Sequence, residues 1–179
     1  MAEDALWYEA AHVVGVTNAL NVVADVSDRT PGLGAVLPPV DPGTADAEVV
    51  AVFEGVRAFY ERRDVPLPFR VAAHDAGYLA DLWGAVRRAF SDNRLPRRLK
   101  EALAFAVSVT TCSAFGTAFH GQEMRRLGVT ERGALEVLGV TQMFSSYTKI
   151  ADTLQLEPDM GHIAPVDRSP APGGVDAPQ

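Results

Sequence analysis

Residues 95–128, LPRRLKEALAFAVSVTTCSAFGTAFHGQEMRRLG, contain the signals that decide the fold. Pro96 suits the first turn of a helix, because the amide hydrogen that it lacks would have no partner there. The threonines at 110–111 offer caps for a second helix over about 112–126, and Gly128 is typical of a helix C-terminus. The stretch therefore predicts two helices joined by a tight turn, which we expect to pack antiparallel.

This hairpin would bring two ionisable side chains together. Glu101 stands nine residues before Thr110 and His120 nine residues after Thr111, so we expect them to face each other. A carboxylate beside an imidazole fixes the tautomer of the ring and stabilises its protonated form, which makes a proton relay. The N-terminus of the second helix would add amide groups and partial positive charge near Ser113, favouring a thiolate or a developing oxyanion.

The same stretch resembles the core of the alkylhydroperoxidase D and carboxymuconolactone decarboxylase superfamily. Redox members of that superfamily carry Glu, eleven residues, Cys, two residues, Cys, three residues and His. In this frame Glu101 and His120 match the glutamate and the histidine without a gap, while Ser113 and Gly116 occupy the cysteine positions. The resemblance implies that the proton relay is kept and that the redox disulfide cannot form.

The resemblance extends over about 95–158, is weaker over 44–94 and is absent from the tail. Residues 144–157, FSSYTKIADTLQLE, resemble the closing helix of the family, although Thr148 and Lys149 replace its usual asparagine and arginine. The family implies an all-α fold, a helical bundle of the alkylhydroperoxidase D-like type with about six helices. It also implies a homo-oligomer, which we expect to be a trimer, a hexamer or a dimer.

The chain divides into four segments by composition. Residues 1–26 repeat apolar residues at helical spacing and predict an N-terminal helix, while residues 27–43 are rich in proline and glycine and predict a linker. Residues 44–158 form the predicted helical core. Residues 159–179 have too little apolar content to pack, so we expect a disordered tail.

Three further helices are predicted inside the core, and no strand. One begins at the N-cap candidate Thr44 and ends near residue 63, before two prolines. The second covers about 75–90, and the last begins after Thr130 and ends near residue 154. We expect Tyr147, on this last helix, to pack in the core, where its phenol could donate a proton to the site.

The charge of the chain excludes two classes of partner, and its single cysteine bears on the cellular compartment. The net charge is −7, and residues 1–50 carry Arg29 as their only basic residue against eight acids. Nucleic acid and anionic membrane surfaces require net positive charge, so neither is an expected partner. The basic residues within 94–100 are interpreted as the solvated start of a helix. The single cysteine, Cys112, and an N-terminus without a signal-peptide pattern predict a cytoplasmic protein.

Membrane, metal and cofactor sites are not predicted either. The uncharged run 102–119 is as long as a short membrane span, but six of its residues are Ser, Thr or Gly, so we expect packed helices. The four histidines show no spacing typical of metal ligands, and no glycine pattern suited to binding phosphate occurs. We therefore expect neither a metal nor a cofactor.

These features favour a non-redox enzyme that acts on a small organic molecule by decarboxylation, lactone-type chemistry or isomerisation. Glu101 and His120 would move protons, while Ser113 and the adjacent helix N-terminus would hold a carboxylate or an enolate. The resemblance allows this, because the decarboxylase branch of the superfamily works without a cysteine pair. Other residues expected to line the substrate site are Cys112, Phe115, Gly116 and Tyr147.

Two alternatives stay open at this point. One is a peroxidase-related oxidoreductase that uses Cys112 with an external thiol, although a reactive thiolate requires an electropositive setting. The other is a binding or assembly subunit without catalysis, in which the alanine-rich helices supply oligomer contacts. Exposure of Glu101 and His120 on opposite faces would favour this last hypothesis.

Overall fold

The computed structural model describes residues 2–27 and 36–156, and the regular elements in those ranges are seven helices. In chain order they are α1 (Ala2–Val26), α2 (Ala47–Tyr60), α3 (Leu67–Ala72), α4 (Ala76–Phe90), α5 (Arg97–Thr110), α6 (Ala114–Arg126) and α7 (Glu131–Leu154). The predicted all-helical fold is confirmed. The expected disordered tail lies outside the described residues, as do residues 28–35 of the expected linker.

The α5–α6 hairpin forms as predicted, but its turn is built differently. Cys112 adopts a left-handed conformation with φ of 59°, so it reverses the chain and cannot begin a helix. Ser113 is the N-cap, since its side chain accepts a hydrogen bond from the amide of Gly116 at 3.3 Å. The expectation that the threonines 110–111 cap this helix was wrong, because their hydroxyls donate back to carbonyls of α5.

The starts of the other helices agree with some of the predicted N-caps and differ from others. Thr130 caps α7 as expected, and Asp75, which was predicted to be the first residue of its helix, caps α4. Each side chain accepts a hydrogen bond from the amide of the third helical residue. Thr44 does not cap α2, because it lies in a turn with Asp41 and the helix begins after Asp46. The short helix α3 was not predicted, since its prolines indicated only a break. Pro68 instead lies in its first turn, where proline is tolerated.

One compact unit, Met1–Ser145, contains α1 to α6 and the first part of α7. Its core is an aromatic cluster in which Tyr60 contacts Phe59, Phe69 and Phe119, mostly edge to face. The α5–α6 hairpin lies against this cluster, and α1 packs along both hairpin helices as well as α3 and α4. The N-terminal helix is therefore part of the core that surrounds the hairpin.

The end of α7 belongs to a second unit, Ser146–Gln179, which is described to residue 156. None of the 24 residues of α7 is buried. The expectation that Tyr147 packs in the core was wrong, since its side chain is 60% exposed. Helical periodicity predicted the helix correctly, but an apolar stripe does not specify which surface covers it.

The uncharged run 102–119 is divided between α5 and α6 by the turn at Cys112, so it forms packed helices as predicted. Within residues 2–27 and 36–156, no helix has both the length and the apolar content needed to cross a bilayer.

Candidate functional site

The hairpin brings Glu101 and His120 into direct contact. Glu101 Oε2 lies 2.7 Å from His120 Nδ1, and both side chains are completely buried. Since a carboxylate can only accept hydrogen bonds, Nδ1 carries the ring hydrogen and donates a hydrogen bond to Oε2 of Glu101. The other ring nitrogen, Nε2, then carries a lone pair in the neutral imidazole.

Aromatic rings hold the imidazole in place. The ring of His120 stacks on Phe90 with 5.6 Å between centroids and 11° between planes, and it meets Phe119 edge to face at 5.2 Å. His120 Nε2 is buried and has no hydrogen-bond partner among the residues that the structure describes. This arrangement provides a fixed proton acceptor in a water-poor environment.

A second buried carboxylate, Glu123, is linked to Glu101 through Arg97. The guanidinium of Arg97 lies 3.5 Å from Glu101 Oε1 and 3.3 Å from Glu123 Oε2. Glu123 also binds Arg126 at 2.8 Å, and this hydrogen bond raises the pKa of Arg126. Arg62 lies 3.6 Å from the other oxygen of Glu123. The two buried carboxylates are thereby surrounded by positive charge.

The interpretation of 94–100 as a solvated helix start was therefore wrong for two of its residues. Arg97 forms the bridge just described, and Lys100 is completely buried. The i,i+4 spacing of Arg97 and Glu101 was the one local signal that could have suggested the ion pair. The i,i+3 spacing of Glu123 and Arg126 on α6 was a signal of the same kind, but nothing local indicated that Arg62 and Arg97 also contact Glu123.

Tyr60, on α2, extends the network. Burial, and next the negative charge of Glu101, raise the pKa of its phenol well above the usual value of 10, although the charge of Arg97 acts in the opposite direction. The phenol is thus neutral at physiological pH and can donate a proton. Its hydroxyl has no partner in the described parts of the chain. The phenol expected near the site was that of Tyr147, and no local pattern in the sequence marked Tyr60.

Side chains from α1 pack against Ser113 and Gly116, the two positions at which the sequence frame predicted cysteines to be replaced. Asn21 donates to Ser108 Oγ at 3.2 Å and to Thr111 Oγ1 at 3.1 Å, and its amide lies against Gly116. A Cβ at residue 116 would overlap Asn21 Oδ1 and Ser108 Oγ and would lie 2.9 Å from Ser108 Cβ. Gly116 is thus required for α1 to pack in this position.

Ser113 is equally enclosed. Its hydroxyl donates to Asp25 Oδ1 at 3.0 Å while accepting from the amide of Gly116. Asp25 and Asn21 were missed by sequence analysis, because nothing local connects α1 to a hairpin nearly 90 residues away.

The other expected site residues are placed less centrally. Cys112 is exposed in the turn between α5 and α6, so it does not join the buried pair. Phe115 is half-buried and stacks on Phe119 at 5.4 Å, while Tyr147 is exposed on α7. Among the described residues, no three His, Cys, Asp or Glu side chains are grouped as metal ligands would be.

Replacing Gly116 with alanine is expected to destabilise the protein by about 3 kcal/mol, because the methyl group would overpack the seam with α1. The midpoint of urea unfolding measures this. Gly84→Ala on α4 is the matched control, since no atom lies within 4 Å of its Cβ position. That control should gain up to about 1 kcal/mol from helix propensity. A Gly116→Ala variant as stable as its control would show that α1 does not occupy this position.

Comparison with known proteins agrees with this fold. Residues 76–156, which include α4 to α7, match the model of the Carboxymuconolactone decarboxylase family. A solved structure with a similar fold is the alkylhydroperoxidase AhpD core from Rhodospirillum rubrum ATCC 11170, with a TM-score of 0.66 and 23% identity, covering 70% of this chain and 94% of that chain. No curated protein matches the chain significantly. The predicted superfamily resemblance and the AhpD-like fold are confirmed.

Proposed function

We propose that this protein, with its helical core of the carboxymuconolactone decarboxylase and AhpD-like kind, is a cofactor-independent acid–base enzyme that acts on a small organic molecule. Glu101 and His120 would form its proton relay. Decarboxylation, lactone-type chemistry and isomerisation each include the proton transfer that such a relay performs.

The observation that supports this proposal most is the pairing of His120. Its Nδ1 is held by Glu101 at 2.7 Å, its Nε2 is without a partner in the described residues, and both groups are buried. A histidine that only stabilised the core would be expected to use both ring nitrogens, since nearly all buried polar atoms in native proteins are paired.

In the proposed reaction, Nε2 of His120 takes a proton from the substrate and becomes an imidazolium. The carboxylate of Glu101 stabilises this cation, and Arg97 keeps Glu101 in position through its contact with Oε1. Returning the proton to another atom of the substrate, or to a leaving group, completes the cycle. Tyr60, whose phenol is neutral because burial and the charge of Glu101 raise its pKa, would add a hydrogen-bond donor.

The other residues that were expected to line the substrate site are supported by the structure to different degrees. Ser113 would act by setting the N-terminus of α6, since its hydroxyl is already bound to Asp25. Gly116 and Phe115 lie on α6 between Ser113 and His120 and would shape the substrate site. Support for Cys112 and Tyr147 is weaker, because both side chains are exposed while the relay is buried. The peroxidase alternative based on Cys112 has less support as well, because this thiol does not join the buried pair of Glu101 and His120.

The experiment that tests the proposal is an assay of the purified protein with a panel of lactones and small keto and hydroxy acids. Each substrate that is turned over is then assayed with His120→Ala, for which the relay requires a loss of activity. Cytoplasmic localisation is proposed with the same function, because such metabolites are found in that compartment.

The assembly hypothesis keeps one specific observation in its favour. The part of α7 in the first unit exposes large apolar side chains, with Leu135 67%, Val140 59% and Met143 54% exposed. A helix without any buried residue gains little stability in water, and apolar surface of this kind marks interaction sites. We propose that a second copy of this chain covers it, in a closed homo-oligomer that also positions the enzyme sites.

We expect the wild-type protein to sediment as a multiple of its 19.1 kDa chain mass. Replacing both Val140 and Met143 with aspartate should shift it to the monomer, because charges would be buried in the apolar interface. Tyr78→Asp on α4, at a residue that is 50% exposed, is the control and should not change the mass. A wild-type protein that is monomeric at micromolar concentration would contradict the proposal.

A further inference from the structure

Two buried polar atoms on facing helices lack partners within the described ranges, Thr17 Oγ1 on α1 and His120 Nε2 on α6. Both residues are 0% exposed. Native proteins satisfy nearly all such atoms, and where no protein group does so an ordered water or a ligand is the usual partner.

The contacts between α1 and α6 fix their register. Asp25 accepts from Ser113 Oγ at 3.0 Å, and Asn21 fills the space beside Gly116. The residue number falls by four on α1 while it rises by three on α6, so the helices are antiparallel. One more turn of about 3.6 residues leads to Thr17 on α1 and to His120 on α6.

The contacts with α5 agree with this register. Glu9 forms an ion pair with Lys100, and Asn21 binds Ser108, so α1 runs parallel to α5. Thr17 lies between those two contacts and is therefore level with the middle of α5. Glu101, the partner of His120, lies about one helical turn before that level.

We infer that Thr17 and His120 together bind one hydroxyl group in the seam between α1 and α6, that of a water molecule at rest and that of a small hydroxyl-bearing substrate during turnover. The inference rests on the proposed function, since it names the substrate group that meets the relay. Because Nδ1 carries the ring proton, Nε2 accepts, and its partner must be an O–H donor. An alcohol, a hydroxy acid or an enol has such a group.

The chemistry of this site is a single proton transfer. The O–H proton of the substrate moves to Nε2, and the electron pair of the broken bond stays on the substrate oxygen. The hydroxyl of Thr17 donates a hydrogen bond to that oxygen, while Glu101 stabilises the imidazolium that forms. Asn21 packs beside Gly116, the Phe90 ring covers one face of the imidazole, and both Thr17 and His120 are completely buried, so the group that they bind must be small.

The test compares Thr17→Val, which keeps the shape and removes the hydroxyl, with Thr17→Ser, which keeps the hydroxyl. The readouts on the full chain, without substrate, are the ¹⁵N NMR signal of His120 Nε2 and the midpoint of urea unfolding. Water is the ligand probed. Thr17→Val should move the Nε2 signal toward that of a nitrogen without a hydrogen bond and lower the midpoint, whereas Thr17→Ser should leave the signal in place.

Two results would overturn the inference. One is an Nε2 signal that is unchanged by Thr17→Val. The other is a midpoint raised by that substitution, which is expected if the hydroxyl is only an unpaired buried group whose removal relieves a cost.

These outcomes separate the shared site from the proposed function. If Thr17→Val leaves Nε2 unchanged while His120→Ala removes turnover, the relay stands and the shared site is wrong. If Nε2 responds to Thr17→Val but turnover survives His120→Ala, the water site stands and the enzyme function is wrong.

Discussion

Replacing His120 with alanine is expected to lower kcat/KM by about 10²- to 10⁴-fold on any substrate that the wild-type protein turns over, the usual contribution of a positioned acid–base group. The loss follows from geometry, since the imidazole is the buried acceptor held at 2.7 Å by Glu101. Steady-state kinetics with the panel of lactones and small keto and hydroxy acids measure the effect. The drop should appear mainly in kcat, because the proton transfer occurs in the transition state.

A second substitution separates the relay from simple disruption of the core. Glu101→Gln keeps the size of the side chain but presents an amide to Nδ1, so it removes the charge that stabilises the imidazolium and permits the wrong tautomer. We expect it to be nearly as damaging as His120→Ala. The double variant should be little worse than either single one, because residues that act as a unit are not additive.

Folding has to be preserved for this comparison to be informative. His120→Gln retains a polar side chain beside Glu101 and is the second histidine variant, with circular dichroism and the unfolding midpoint as checks. Cys112→Ser is the matched control from the same hairpin, since this exposed thiol takes no part in the relay, and its activity should equal that of the wild type. If activity survived every substitution of His120 and fell with Cys112→Ser, the peroxidase alternative would replace the acid–base proposal.

The pair at the centre of the site could be predicted because it depends on local information. Two helices of similar length joined by a tight turn must bring equidistant residues together, so the positions of Glu101 and His120 followed from counting along 95–128. The surrounding network could not be predicted in this way. Asn21 and Asp25 reach the hairpin only through the packing of α1, and nothing in their own segment specifies that contact.

The difference between local sequence information and long-range packing also explains why the burial of α7 and of Lys100 was predicted wrongly. Periodicity predicted α7 but assigned its apolar face to the core, because an amphipathic pattern does not identify its partner. Lys100 was interpreted as solvated, since an ammonium group is almost never completely buried without a paired charge. Its partner Glu9 lies 91 residues earlier in the sequence, where no local pattern connects the two.

Replacing Glu9 with glutamine is expected to destabilise the protein by about 3–5 kcal/mol, because it leaves a buried ammonium group without its counter-charge. Lys100 is completely buried, and its Nζ lies 2.5 Å from Glu9 Oε1 and donates to the carbonyl of Ser91 at 2.6 Å. Glu9 also accepts from the amides of Arg94 and Leu95, so it fastens α1 to the start of α5.

Urea unfolding at neutral pH measures the loss, and an exposed ion pair supplies the control. Glu136→Gln breaks the ion pair of Glu136 with Arg132, in which the two side chains are 69% and 88% exposed, respectively. This substitution should lower the free energy of unfolding by no more than about 0.5 kcal/mol. Replacing Glu9 with leucine and Lys100 with methionine together should restore most of the stability, since an apolar pair of similar size avoids the desolvation of both charges. If Glu9→Gln lowered the free energy of unfolding by no more than Glu136→Gln does, the ion pair of Glu9 with Lys100 would not be what stabilises the packing of α1 against α5.

The stability that is lost when Glu9 is replaced with glutamine should decrease as the pH is lowered. Burial by itself raises the pKa of Glu9, but the hydrogen bond and charge of Lys100 and the amide of Leu95 outweigh it, so the pKa lies below the ordinary 4.5. A carboxyl whose pKa is depressed by folding stabilises the native state fully above 4.5, and this stabilisation is lost as the pH falls through the native pKa. The difference in stability between wild type and Glu9→Gln should therefore be constant from neutral pH to about pH 5 and narrow below 4.5. Thr17, Asn21 and Asp25 lie on α1 where it packs against α6, the helix that carries His120. Release of the N-terminal half of α1 in acid should therefore also open the contact between α1 and α6 beside His120. Faster exchange with solvent of the group that is hydrogen-bonded to His120 Nε2 would reveal this opening.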